Sequence, residues 1–379
     1  MINIQKLDAI ANAYTDRLIL PSKPQLPLWN KESLICSKAP KWNYIDGCMI
    51  KAVLMMYELN GERRLLDYAA DFTDFFVLPD GSIPTMNPQD FNLDSVNGGK
   101  NLLKLYALTC GSRYRTAADN IVELQLAAQP RLDCGSFYHK AIYPRQIWLD
   151  GSYMALAFMT EYAAVNKNHE MAEDVDIQLT NMKKIMRDPK SGLYYHGYDE
   201  LCSAVWADKK TGLSPHFWLR AIGWLAAALA DICESAEGVF PNTKRIAEEM
   251  LGELLEALYP FAAGDGLLMQ LPSVPEAEGN YPEASGTCLI AYSALKAYRL
   301  GIGGEKNKAF GEKLLSAVTE KLVKFENDMP ILTNICLTAG LGGAQQRDGS
   351  VKYYLSERIV ENDAKGVAPY LMAYTEIKK

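Results

Sequence analysis

The chain has 379 residues, of which 49% are hydrophobic, 22% charged and 10% aromatic. That balance is too apolar for disorder and fits an ordinary globular protein, which the usual ~150 residues per domain would divide into two or three units. A formal charge of -7 and a pI near 5.3 exclude the basic face that a nucleic-acid or anionic-membrane partner requires.

No window approaches ~18 uninterrupted apolar residues, so no transmembrane helix is expected. The first residues, Met1-Ile-Asn-Ile-Gln-Lys-Leu-Asp, lack a basic segment followed by an apolar one, so no signal peptide is expected either. Eight cysteines at 36, 48, 110, 134, 202, 233, 288 and 336 form no Cys-x-x-Cys pair. They are expected to be buried small hydrophobes in a reducing cytoplasm. Histidines 139, 169, 196 and 216 show no His-x-x-x-His spacing, so no metal site is expected. The nucleotide-binding and serine-hydrolase motifs are absent as well, and no cofactor is expected.

Apolar residues recur at helical spacing almost throughout, which predicts twelve helices. In chain order they lie near 3–17, 43–59, 62–77, 94–109, 112–127, 150–166, 169–187, 217–235, 241–262, 283–300, 304–326 and 364–377. Over 62–77, Leu65, Leu66, Ala69, Phe72 and Phe76 form one apolar stripe. Asn60-Gly61, Cys110-Gly111 and Leu300-Gly301 each offer a C-terminal glycine cap. The acidic residues of these helices, Asp231 and Glu234 among them, are expected on solvated faces.

Connections after the even-numbered helices are short, and those after the odd-numbered ones from the third onward are long: 78–93, 128–149, 188–216, 263–282 and 327–363. Strict alternation puts every long loop at one end of an up-down array, the usual place for a binding face. The even helices also carry a glycine near their start: Gly47, Gly98 with Gly99, Gly151, Gly223, Gly286 and Gly366. Each costs ~1 kcal/mol against alanine, and close approach of helices around a shared axis would require them. The pattern therefore predicts an all-α fold, an (α/α)6 barrel over residues 1–379 as one domain. An open helical solenoid is the alternative.

Aromatic, acidic and cationic residues gather in the long loops and at the even helix starts, a combination suited to sugars. Asp94 and Asp150 each open a helix, where an N-cap is the blander role. His196 as a plain loop residue, Arg220 as a snorkelling cation, and Trp218 and Trp224 as core are likewise open.

Gly135-Ser-Phe-Tyr-His139-Lys140, Tyr143-Pro-Arg-Gln146-Ile-Trp148-Leu-Asp150-Gly151-Ser-Tyr153-Met154, His196-Gly-Tyr-Asp199-Glu200, Trp206-Ala-Asp208, Phe217-Trp218-Leu-Arg220-Ala-Ile-Gly223-Trp224, Glu283-Ala-Ser285-Gly286-Thr and Gly340-Leu-Gly342-Gly343 with Arg347-Asp348-Gly349 follow one another in order. Tyr353-Tyr354 and Asn362 to Pro369 complete the set. From about residue 40 onward the chain resembles glycoside hydrolase family 105, the unsaturated rhamnogalacturonyl hydrolases, and more weakly family 88. The resemblance implies an (α/α)6 barrel and a substrate with a 4,5-unsaturated uronic acid at its non-reducing end, as polysaccharide lyases leave. It implies Asp150 as the general acid and base, acting by vinyl-ether hydration, with Asp94 as the second carboxylate that positions substrate or tunes Asp150. It further implies Tyr44, Lys140, His196 and Arg220 as contacts to the uronate and water, and Met154, Trp218 and Trp224 as walls. Ser152, Tyr198 and the Leu219–Ile222 segment depart from the commonest family residues and bear on the aglycone. Two alternatives stand beside this: another α/α-toroid enzyme, an inverting glycosidase or an epimerase, and a non-catalytic glycan-binding repeat protein.

Overall fold

The computed structural model describes residues 2–262 and 264–379. The twelve expected helices are present as Ile4–Tyr14, Tyr44–Asn60, Arg63–Asp74, Gly99–Thr109, Ser112–Leu124, Ala157–Asn166, His169–Met186, Leu219–Ser235, Pro241–Leu258, Ala284–Arg299, Gly304–Lys321 and Ala364–Lys378. The even-numbered ones form an inner ring in which each packs on the next, and the last, Ala364–Lys378, packs back on the first, Tyr44–Asn60. The odd-numbered helices lie outside, each against its hairpin partner. Five hairpins are consecutive in the chain. The sixth joins the two ends: Ile4–Tyr14 lies on Ala364–Lys378, with the Tyr374 hydroxyl donating to Asp8 at 2.8 Å and Tyr14 edge-on to Tyr370. A closed (α/α)6 toroid results, not an open solenoid.

Burial follows this division. Residues 219–233, 284–297 and 364–376 are buried at every position, as a helix apolar all round must be. The outer helix Arg63–Asp74 buries one stripe, Leu65, Leu66, Ala69 and Phe72, with Phe76 just beyond it, as the periodicity predicts.

The recurrent glycines mark close contacts. A Cβ on Gly223 would lie 2.8 Å from Leu289 Cβ and 3.3 Å from the Gly286 Cα; one on Gly286 would lie 2.6 Å from Leu219 Cγ. A Cβ on Gly47 would press on the Asn97 side chain at 3.0 Å, while one on Gly99 would meet the Phe158 ring at 2.7 Å and one on Gly366 the Ile335 side chain at 2.5 Å. At Gly99, Gly223 and Gly286 neighbouring inner helices thus approach at a distance that a methyl group would prevent.

Several expectations need correction. The helix expected over 94–109 breaks at Asn97-Gly98 into Leu93–Val96 and Gly99–Thr109. The one expected over 304–326 stops at Lys321, because Val323–Glu326 pairs with Met329–Leu332 in a two-stranded ribbon. Gly61 and Gly301 take the left-handed caps (φ 70° and 80°), but at the third site Cys110 itself does so (φ 58°), leaving Gly111 extended. Cys48, Cys233, Cys288 and Cys336 are buried as expected, whereas Cys36, Cys110 and Cys134 are exposed; all eight are free thiols. Among the described residues no helix is long and apolar enough to cross a membrane.

Asp231 is the clearest correction. It is buried and receives Lys296 Nζ at 2.8 Å, Tyr292 Oη at 2.5 Å and Lys51 Nζ. Burial works against its charge, but Lys296, Lys51 and Lys100 outweigh that and hold it well below the carboxylate range. These groups line a cavity of about 250 Å³ at the C-terminal ends of the inner helices, with Glu161, Glu234 and Glu376. A helix apolar by composition can hide one carboxylate at its centre when facing helices bring ammonium groups to it.

Gly286→Ala should therefore destabilise the protein by about 1–3 kcal/mol through overpacking against Leu219. Urea unfolding measures this, and a change under ~0.5 kcal/mol, typical of a neutral site, would contradict the close-approach explanation.

Candidate active site

Long loops meet at the end of the barrel where the inner helices begin. Gln146–Trp148 and Gly197–Asp199 form a short antiparallel ribbon with Trp148 opposite Gly197. The Leu149 amide extends it by donating to the His196 carbonyl at 2.9 Å. The ribbon thereby fixes Asp150, two residues beyond one strand, beside His196, one residue before the other. Leu93 donates to the His139 carbonyl, and Leu219 to the Gln270 carbonyl, tying in two more loops. The fifth contributes the short helix Val351–Ser356, whose Tyr354 hydroxyl lies 2.7 Å from His196 Nδ1.

Asp150 Oδ2 lies 3.2 Å from His196 Nε2, and both atoms are buried with no hydrogen-bond partner meeting full geometric criteria. Such contacts in an unliganded site are commonly long and tighten when substrate arrives. The Asp150 carboxyl is 14% exposed and caps nothing: the chain enters a π-helical turn, Ser152–Leu156, without a side-chain cap. Asp94 is not an N-cap either. Asn92 caps Leu93–Val96 by accepting from the Asp94 amide, which leaves the carboxylate free for side chains.

Asp94 Oδ2 accepts from Lys140 Nζ at 2.5 Å, and its Oδ1 lies 3.4 Å from His139 Nε2. Burial disfavours the Asp94 charge, but Lys140 and then His139 overcome this and hold its carboxyl below the ordinary range. Burial also pushes His139 down to about 4, so its imidazole is neutral at pH 7. Lys140 moves up despite burial, because Asp94 faces it.

Both Asp–His pairs pack on one indole. His139 stacks on Trp148 with centroids 4.9 Å apart at 13°, and His196 meets it edge-on at 5.7 Å and 66°. Tyr143 also stacks on Trp148, at 4.7 Å. Trp218 covers His196 at 4.8 Å and donates its indole N–H to Gln270. The Arg220 guanidinium lies 4.7 Å over the Trp218 ring and donates to Ser285 Oγ and the carbonyls of Cys336 and Leu337. Trp224 and Met154 are buried, with Trp224 stacked on Tyr153 at 4.7 Å. Tyr44 lines a cavity of about 190 Å³ with Trp42, Lys41, Asp94, Lys140 and Glu32.

The nine candidate residues therefore occupy one end of the barrel. Asp150 with His196 and Trp218, and Asp94 with Lys140, are in direct contact; Arg220 reaches the first group through Trp218. Sequence reasoning left out His139, Trp148 and Tyr354 as site residues. His139 adjoins Lys140 and Trp148 precedes Asp150 by two, so proximity to chosen residues was the available signal. Tyr354 is 158 residues from His196, and no local pattern pairs them.

A family model described as Glycosyl Hydrolase Family 88 matches residues 28–379. Among solved structures, a glycoside hydrolase from family 105 of C. acetobutylicum superposes with a TM-score of 0.88 at 32% identity, covering 99% of both chains. Protein Atu3128 of Agrobacterium fabrum is 39% identical over 232 residues, 59% of this chain and 97% of its own. The unsaturated rhamnogalacturonyl hydrolase YesR of Bacillus subtilis is 26% identical over 264 residues, 68% of this chain and 72% of its own.

Lys140→Met leaves Asp94 without its principal counter-charge and should cost on the order of 2 kcal/mol at neutral pH, less than a fully buried pair would. A carboxyl held below its unfolded value stabilises above that value and loses the benefit as pH falls through its folded value. The deficit should thus be full near pH 7 and shrink through the carboxylate range. Urea unfolding across pH checks this; a deficit independent of pH would contradict it.

Proposed function

This chain belongs to the glycoside hydrolase group formed by families 88 and 105, and from that premise we propose that it removes a 4,5-unsaturated uronic acid from the non-reducing end of lyase-generated oligosaccharides, rhamnogalacturonan disaccharides among them. The observation that carries the proposal is the Asp150–His196 contact inside an aromatic wall. It sets one carboxyl oxygen, Oδ2, 3.2 Å from the His196 ring nitrogen, and neither atom has another hydrogen-bond partner among the described residues. The name of the Bacillus subtilis relative supports the substrate class.

In this mechanism Asp150 delivers its proton to C4 of the double bond, and positive charge develops at C5. The carboxylate then takes a proton from the water whose oxygen bonds to C5. The hemiketal opens, releasing the aglycone and a 4-deoxy-5-keto-uronate, with one water consumed and Asp150 restored. This differs from an ordinary glycosidase, in which the glycosidic oxygen is protonated and substitution occurs at C1.

Asp94, held ionised by Lys140, is the second carboxylate, and the neutral His139 between it and Trp148 fits a positioning role. Lys140, 20% exposed, and Tyr44 line the opening and meet the uronate, while Trp218, Trp224 and Met154 wall it. Arg220 contributes positive potential from behind Trp218, since its N–H groups are directed to protein oxygens. Residues 1–379 act as one catalytic unit, and the free thiols and acidic surface suit a cytoplasmic enzyme acting on imported oligosaccharides.

Asp150→Asn should lower kcat by about 10³-fold or more, in the upper range for a lost acid–base group, while leaving the unfolding midpoint close to that of the parent. The readout is loss of ultraviolet absorbance of the conjugated double bond in lyase-generated disaccharides. Near-normal turnover would sink the assignment, and binding without absorbance loss in the parent protein would sink the activity itself.

A further inference from the structure

Tyr354 sits on Val351–Ser356, a short helix whose N-cap Ser350 accepts from the Tyr353 amide at 3.1 Å. The helix is pinned from outside by Tyr353, whose hydroxyl accepts from the Gly340 amide at 2.9 Å. Tyr354 points the other way and is fully buried, its ring 6.0 Å from His196 and 6.4 Å from Trp218. Its hydroxyl has one hydrogen-bonding partner among the described residues, His196 Nδ1 at 2.7 Å.

That isolation decides which way the bond runs. If Nδ1 carried the proton, the phenolic O–H would be a buried donor with no acceptor, an arrangement that costs ~1–3 kcal/mol. Burial holds the phenol pKa well above its ordinary value, so the proton remains available. Donation from Tyr354 to Nδ1 places the ring proton on Nε2, and Nε2 faces Asp150 Oδ2 at 3.2 Å. Oδ2 and Nε2 are both buried with no other hydrogen-bond partner among the described residues, so each is left to the other, and no group of the described protein donates to Oδ1.

We propose that Tyr354 is a positioning residue that fixes His196 as its Nε2–H tautomer, so that His196 occupies Oδ2 of Asp150 and Oδ1 alone exchanges the proton with substrate and water. The assignment rests on the acid–base role given to Asp150 above. It explains how one carboxyl serves both half-reactions without turning. The imidazole N–H holds Oδ2 whether the carboxyl is protonated or not, and the proton leaves from and returns to Oδ1. Trp148, Trp218 and the Tyr354 ring enclose the imidazole on its remaining sides.

The test is ¹⁵N NMR of the full chain labelled at histidine, with His196 assigned by comparison with His196→Gln. The parent protein should show the His196 ring proton on Nε2, with Nδ1 accepting. Tyr354→Phe should mix the tautomers and lower kcat by about tenfold, the worth of one hydrogen bond in a dry site, with KM little changed. A parent protein with Nδ1 protonated overturns the proposal without recourse to any variant. So does a Tyr354→Phe protein with an unchanged tautomer, or one with mixed tautomers and undiminished kcat. The tautomer is read without turnover, so it stands apart from the Asp150→Asn result. Failure of that acid–base role would leave the histidine spectrum as described.

Discussion

Everything in this molecule depends on the inner ring closing, with Ala364–Lys378 laid against Tyr44–Asn60. An open stack would leave two inner helices with an apolar flank in water. Closure buries both flanks, permits Leu219–Cys233 and Ala284–Ala297 to be buried at every residue, and imposes small residues where inner helices touch. Buried polar side chains directed at the axis then pair across the ring, as Asp231 does with Lys51 and Lys296. The ring is therefore both a core and a device for forcing polar residues from distant segments into contact.

The two ends of the axis meet that demand differently. At the loop end, carboxylates face histidines and aromatic rings, with Asp150 and His196 close but not fully bonded. At the other end, Asp231 is saturated by Lys51, Lys296 and Tyr292, an arrangement with little chemical freedom. Tyr153 divides the two: its ring stacks on Trp224, and its carbonyl accepts from Lys100 at 3.0 Å. Lys100 has no carboxylate partner within salt-bridge distance among the described residues, and burial brings it down to about 7. Lys100 thus ties the turn that follows Asp150 towards the saturated end, and the unsaturated end is left able to accept a ligand.

Much of this was legible in the residues. Period-3.6 stripes located the helices, the alternation of loop lengths located the open end, and six glycines pointed to the ring. Ordered segments from Gly135 to Pro369 pointed to the family. What escaped was set by contacts between segments far apart in the chain. Asp231 reads as a solvated carboxylate because its partners Lys51 and Lys296 lie on other helices. By pattern alone Asp94 and Asp150 read better as helix caps, and the observed cap Asn92 and the pairing of Trp148 with Gly197 distinguish the roles. Val323–Glu326 carries no strand signal strong enough to oppose the preceding helix. Its conformation comes from pairing with Met329–Leu332.

The sixth hairpin, made by the two ends of the chain, has a bearing on biogenesis. During synthesis the segments carrying Asp94, Asp150 and His196 emerge long before Tyr354 and the final helix. Until that helix docks, Tyr44–Asn60 and Ala284–Arg299 each lack a neighbour. The five-helix ring must hold an apolar seam exposed, with the long-range contact that covers it arriving last. A nascent or C-terminally clipped chain that lacks this helix therefore leaves apolar surface uncovered, and quality-control machinery can recognise it by that exposure.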